Sequence, residues 1–203
     1  MIHLTPYEQR MLDGEFGAAK QVALQKIIDY AQILGATELV PITKAHLCCG
    51  STCEPSDFPD GNLDRPDILA MGYHDWQTKL KCPGLDPAAF NSFNETTYVM
   101  DDVHCCDTFQ WQWTQQTKEF YENNRQILSD AADRGVMIGS TCAPYLAGWL
   151  PVMGEYFVTT ESSNVLYSNS ILGARGNGGG GNTTFCSAIC GRAPKWGLHL
   201  PDR

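Results

Sequence analysis

Residues 15–43 constrain the fold more than any other stretch. Ala23, Leu24, Ile27, Ile28, Ala31 and Leu34 form one apolar face at helical spacing, so Glu15–Leu34 is predicted to be an amphipathic helix. Gly35 stops it, and Glu38–Thr43 (ELVPIT) reads as a buried strand. This α-then-β unit would deliver Ala45-His46 and the Cys48–Cys53 loop at the C-terminal end of its strand. Ligand sites of open α/β sheets gather at that end.

The same alternation recurs along the chain. Pro6–Leu12 is predicted as a short helix capped by Thr5. Thr114–Arg134 reads as a polar helix ended by Gly135, and Val136–Ser140 as a short strand running into Cys142. Tyr156–Thr160 is a further strand, feeding a helix with Ser162 or Ser163 as N-cap and Val165, Leu166 and Ile171 near helical spacing. The glycines of 176–181 form a flexible connector, and Thr183–Cys190 a small, mostly apolar helix. Residues 54–110 are punctuated by Pro55, Pro59, Pro66 and Pro83, and no period persists there. Short strands flanked by helices indicate an α/β fold.

At 203 residues the chain is long enough to bury a core of its own. Its formal charge of −9 argues against nucleic acid or an anionic membrane as main partner. No stretch approaches the length of a membrane span and Met1–Tyr7 has no signal-peptide core, so the expected location is cytoplasmic. The nine cysteines, an odd number, then read as thiols for metal binding or catalysis rather than as a disulfide framework.

Candidate chemistry gathers in three places. The serine-rich run Ser162–Ser170 opens a helix whose first N–H groups suit an anion, and Arg175, just past the glycine that ends it, offers a planar fork for carboxylate or phosphate. Ser162, Ser163 and Arg175 are therefore candidates for holding an anion. Cys142 opens the turn Thr141-Cys-Ala-Pro-Tyr145, where it is either a metal-ligating thiol or a small buried hydrophobe. His46 is either an acid/base group or an orienting residue for the loop that follows it. Cys48, Cys49 and Cys53 form CCxxxC without a second pair at zinc-finger spacing. Glu155 and Glu161 flank one strand, Cys186 lies on an apolar helix face, and Arg192 is a further candidate for anion binding beside His199. The glycine run lacks a following Lys-Ser/Thr and comes after a helix where a strand is wanted, which excludes a P-loop.

Several of these words recur together in one family. Thr141-Cys-Ala-Pro-Tyr145, Gly154-Glu155, Glu161-Ser-Ser163, Asn169-Ser-Ile-Leu-Gly-Ala-Arg175, Gly191-Arg-Ala-Pro194 and Gly197-Leu-His-Leu200 resemble the aconitase X family. Leu4-Thr5, Met11-Leu-Asp-Gly-Glu15, Gly17 and Ala45-His46 follow the same order near the N-terminus. The resemblance implies the N-terminal part of an aconitase-like catalytic domain, spanning residues 1–203 with a poorly matched, insert-like region at 54–110. It further implies a hydro-lyase (dehydratase) acting on a small hydroxy acid such as mevalonate 5-phosphate or a hydroxyproline. An iron–sulfur cluster or mononuclear iron is the implied cofactor, with Cys142 and Cys49 as ligands, His46 as the catalytic candidate, and Ser162, Ser163, Asn169, Ser170 and Arg175 in the substrate pocket. A swivel-type small subunit or domain is the implied partner. Relatives commonly carry Thr-Asn-Arg after Gly-Ala-Arg, where this chain has Gly176-Asn177-Gly178 and so one arginine fewer. Two rival readings remain: a truncated, non-catalytic homologue serving as a binding or structural subunit, and a cysteine-rich zinc-binding module.

Overall fold

A computed structural model describes residues 1–47, 98–101, 132, 137–139 and 141–202. Helix α1 (Pro6–Leu12) is closed by a reciprocal capping box, in which the Thr5 hydroxyl accepts from the Glu8 N–H and the Glu8 carboxylate accepts from the Thr5 N–H. Helix α2 (Ala18–Ile33) buries Ala19, Ala23, Leu24, Ile27, Ile28 and Ala31 along one face, as the spacing predicts. Gly35 follows with φ +75°, a left-handed turn that lets the chain reverse.

The strand expected over residues 38–43 divides into two elements with different partners. β1 (Leu39–Pro41) pairs antiparallel with β7 (Arg192–Pro194) in a two-stranded ribbon, and β2 (Lys44–Leu47) enters the main sheet. Ala45 and His46 therefore lie within a strand rather than beyond one. Pro41 explains the division: it has no N–H for a ladder, and it sits at the exposed end of the ribbon.

The main sheet is wholly parallel, in the order β4-β3-β2-β5-β6, with β3 at Tyr98–Asp101, β4 at Met137–Ile138, β5 at Tyr156–Thr159 and β6 at Arg175–Gly178. The chain builds outward from β2 through β3 to β4, then returns to lay β5 and β6 on the other side of β2. The direction of winding thus reverses between β2 and β5, which creates the crevice where doubly wound sheets bind ligands. The strands expected over 136–140 and 156–160 are represented by β4 and β5, at Met137–Ile138 and Tyr156–Thr159. The supposed connector at 176–181 is instead the edge strand β6 followed by the first turn of helix α4 (Gly181–Cys190). The expected helix over 114–134 and the cysteines at 48, 49, 53, 82, 105 and 106 lie outside the described residues, apart from helical Ala132.

Each face of the sheet has its own core. On one side, α2 and α4 close over Ala45, Leu47 and Val158 with Leu24, Ile27, Phe185 and Ile189, all buried. Cys186 and Cys190 belong to this core. Glu8 is buried beneath the same face, where Arg192 Nε donates to its Oε1 at 2.8 Å while the guanidinium lies 5.0 Å over the Tyr7 ring. Arg192 is thereby a tie between the N-terminus and β7. On the other side, Trp149, Phe157 and Ala174 form a smaller cluster. The Phe157 ring covers Gly176 so closely that a Cβ there would lie 2.2 Å from it. Glycine at 176 is a packing requirement of that aromatic ring.

Candidate functional site

The crevice at the winding reversal is floored by His46 of β2 and Thr159 of β5, partners in register across the switch. Neither is accessible to solvent. Helix α3 (Ser162–Ser170) begins three residues after Thr159 and turns its polar side inward, burying Asn164 and Ser168, while Leu166 and Ile171 are each 67% exposed. Of the three apolar residues expected to seat this helix, Leu166 and Ile171 therefore face outward and Val165 is half-buried, and its buried spacing of four residues is carried by an asparagine and a serine.

The reason is a chain of hydrogen bonds. The Ser168 hydroxyl donates to Asn164 Oδ1 at 3.0 Å, and Asn164 Nδ2 donates to the Thr159 hydroxyl at 3.1 Å. The Glu161 N–H also donates to that hydroxyl, at 3.1 Å. With both lone pairs engaged, the Thr159 proton is directed to His46 Nδ1, 3.0 Å away. This fixes His46 as the tautomer protonated on Nε2, with the backbone carbonyl of Thr141 against the ring. Burial pushes its pKa down to about 4, and the Thr141 carbonyl opposes the shift in part. His46 is thus a neutral imidazole joining β2, β5 and the turn at Thr141. The loop after Leu47 that it was expected to orient lies outside the described residues; the groups it holds here are Thr159 and the Thr141 turn.

The same network brings Cys142 to the crevice. The Ala143 N–H donates to Thr141 Oγ1 at 3.1 Å, closing a tight turn, and Ser163 Oγ donates to the Cys142 carbonyl at 2.7 Å. Tyr145 stacks on Tyr167, centroids 4.0 Å apart and planes within 9°, which holds the following turn (Pro144–Ala147) against α3. Cys142 is partly exposed and unbridged. Its partial exposure fits a single sulfur ligand to iron, whereas Cys186 and Cys190 are sealed in the core, burial holding the Cys190 thiol up at about 12. Among the described residues no group of three or more His, Cys, Asp or Glu side chains converges on one point. Cys49 lies outside the described residues, two positions beyond the end of β2.

Ser162 and Ser163 stand in the first turn of α3, but neither caps it. The N-cap is Glu161, which makes no side-chain cap. The other expected anion contacts are not brought to this end. Arg175 opens β6 opposite Tyr156, the first residue of β5, about 10 Å of strand from the crevice. Its guanidinium donates to the Leu198 carbonyl at 3.1 Å and to the Leu200 carbonyl, so it pins the C-terminal turn. Asn169 clamps both backbone groups of Gly176 at 2.9 Å, and Ser170 is exposed at the C-terminal end of α3. Glu155 accepts from Val152 N–H at 2.6 Å and pairs with Lys44 at 3.4 Å, also at the far end of the strands. His199 is buried with its ring nitrogens 3.0 Å from the Pro194 and Phe157 carbonyls. A helix end and an arginine close in sequence are here separated by the length of that helix. Thr159, Asn164 and Ser168 were not among the expected site residues, although the polar i, i+4 pair 164/168 is visible in the sequence.

Comparison with known proteins identifies this architecture. The family model of the aconitase X first domain matches residues 1–64 and 94–202. The chain belongs to the aconitase X family. It is 31% identical over 203 residues to the phosphomevalonate dehydratase large subunit of Methanothermobacter thermautotrophicus, covering 99% of this chain and 45% of that protein. It is 29% identical to the cis-3-hydroxy-L-proline dehydratase of Hypocrea jecorina, covering 98% of this chain and 29% of that one. The holo-form structure of Thermococcus kodakaraensis aconitase X superposes with a TM-score of 0.71 at 28% identity, over 99% of this chain and 44% of that one. The chain therefore spans less than half the length of these aconitase X relatives. Among the described residues no helix is long and apolar enough to cross a membrane.

Proposed function

We propose that this chain contributes one wall of a hydro-lyase active site, that of a dehydratase acting on a small hydroxy acid such as mevalonate 5-phosphate or a hydroxyproline. The observation that carries the reading is the capture of the Cys142 turn by Ser163, which sets a partly exposed thiol beside a helix N-terminus at the winding reversal. Dehydration removes a proton from one carbon and a hydroxyl from its neighbour, so the site needs a group that draws off the hydroxyl and donors that hold the acid. When bound, an iron–sulfur cluster or mononuclear iron supplies the Lewis acidity for the departing hydroxyl.

The residues of this chain supply position. Cys142 is the ligand offered by this domain, and Cys49 is the second candidate. The first-turn N–H groups of α3, with the hydroxyl of Ser162, face a carboxylate with the positive end of the helix dipole, while Ser163 gives its proton to the Cys142 carbonyl and sets the edge of that pocket. His46 holds Thr159 and the Thr141 turn in register without exchanging a proton at neutral pH. The remaining ligands and the closing domain come from further sequence or a small subunit, in the cytoplasm.

Anaerobic purification with iron and sulfide reconstitution tests this. The wild-type chain is expected to retain iron, Cys142→Ser to lose it at least tenfold, and Cys186→Ala to retain it. Turnover of mevalonate 5-phosphate or cis-3-hydroxyproline, with the completing subunit added, should fall with the iron. Iron retained undiminished by Cys142→Ser would remove Cys142 as a ligand and the reading with it.

A further inference from the structure

The glycine run is the motif left unused, and the fold alters its meaning. β6 ends at Gly178 and α4 begins at Gly181, so a strand does lead into the loop and a helix N-terminus does leave it. The Gly179 N–H donates to the Thr159 carbonyl at 2.9 Å, which sets the loop beside the floor of the crevice. α4 is ten residues long, and its N-cap, Gly180, makes no side-chain cap. The N–H groups of its first turn, at positions 181–183, have no acceptor within the helix.

A second feature points into the same space. Thr184 is 1% exposed, and its hydroxyl has no hydrogen-bond partner among the described residues. Its neighbour Thr183 donates to the Gly180 carbonyl at 3.0 Å. A Cβ at Gly179 would meet Thr184 Oγ1 at 2.8 Å and Thr183 Oγ1 at 3.1 Å, so both hydroxyls converge where residue 179 has no side chain. Gly178, Gly179, Thr183, Thr184 and Ser187 line one side of an open cavity of about 30 Å³, with Trp196 on its apolar side. A buried hydroxyl without a partner is costly, and a helix start left uncapped beside it has the same complement: a group that only accepts hydrogen bonds and carries negative charge.

We propose that residues 178–184 form an oxyanion cradle, taking the head of a phosphate or carboxylate group through the first-turn N–H groups of α4 and the Thr184 hydroxyl. The cavity admits such a head and leaves the rest of the ligand in the open mouth. Among the described residues no lysine or arginine lines it, so binding rests on N–H and O–H donors and is weak for a free anion.

The experiment is an ¹H–¹⁵N titration of the whole chain with inorganic phosphate and, separately, with acetate, at constant ionic strength against chloride. Saturable shifts confined to the amides of residues 180–184 are expected. A response to phosphate alone assigns a phosphoryl head, to acetate alone a carboxylate, and to both a general oxyanion site. Thr184→Val should weaken binding about tenfold or more, as expected for a lost charge-assisted hydrogen bond, while Thr184→Ser retains it. Without anion, Thr184→Val should melt no lower than wild type, since it removes a hydroxyl with no partner. With 50–100 mM phosphate or acetate, as the titration directs, wild type should gain Tm and the variant should not. An absence of saturable shifts with both anions, or undiminished binding by Thr184→Val, would overturn the proposal. None of these readouts requires iron or turnover.

Discussion

Thr159→Val is the sharpest perturbation of this structure. Valine keeps the shape of threonine, so it opens no cavity, and it removes one hydroxyl that three groups share. Two of them, His46 Nδ1 and Asn164 Nδ2, belong to residues with no solvent exposure and cannot turn to water. Each buried polar group left without a partner costs about 1–3 kcal/mol, so the pair sums to about 4 kcal/mol. The Glu161 N–H is at a helix start where water reaches it and adds little. Against a domain stability of about 5–15 kcal/mol, this is a large fraction. Urea denaturation followed by circular dichroism should show the midpoint falling by about 2 M at unchanged slope, taking a slope of about 2 kcal/mol per M. Thr159→Ser, which retains the hydroxyl, should cost only about 1 kcal/mol for its methyl group. The double variant Thr159→Val/Asn164→Leu should be less unstable than the sum of its singles, because each removes a partner of the other. A loss below 1 kcal/mol for Thr159→Val, or equal losses for the valine and serine variants, would refute the shared-hydroxyl network.

Acidification should destabilise the fold through His46. Its folded pKa is lowered to about 4, so between pH 6.5 and 4 the unfolded chain binds a proton that the folded chain refuses; stability present above pH 6.5 is lost as pH falls, by up to about 3 kcal/mol. Buried His199 is also lowered and adds in the same direction. Urea midpoints at pH 7.5 and 5 check the sum, and an imidazole NMR titration of His46 near pH 6.5 would contradict it. Gly176→Ala should cost at least 1–3 kcal/mol, because its methyl would occupy the Phe157 ring; Gly176→Ala/Phe157→Leu should regain part of this, as thermal melts of both variants would show.

The helices that bury an apolar stripe were legible because their period is a direct image of their packing. The Thr5 cap of α1, the buried face of α2 and the core position of Cys186 follow from local spacing and chemistry. So did the family, because its motifs survive in order along the chain. The division of residues 38–47 between two sheets was not legible, since both halves are short and their partners are distant in sequence: Arg192–Pro194 for β1, and Tyr98–Asp101 and Tyr156–Thr159 for β2. β6 was hidden for a different reason: Arg-Gly-Asn-Gly has no strand propensity, and it forms an edge strand because Phe157 needs a bare backbone beneath its ring and Asn169 clamps its start.

The site was misread through α3, and the cause is general. An apolar pattern was sought where the helix rests on a threonine and a histidine, and a polar floor selects a polar face. Asn164 and Ser168 are the pattern, four residues apart, and their exposed apolar neighbours Leu166 and Ile171 lie on the opposite side. Reading Arg175 as a partner of the α3 N-terminus failed for a geometric reason. A nine-residue helix is about 13 Å long, so the residue after its end lies at the opposite edge of the sheet from the residue before its start. In a parallel sheet, the groups that can meet are those that follow different strands. Thr159 at the end of β5, the Cys142 turn after β4 and the glycine loop after β6 satisfy that condition; Arg175, at the start of β6, does not.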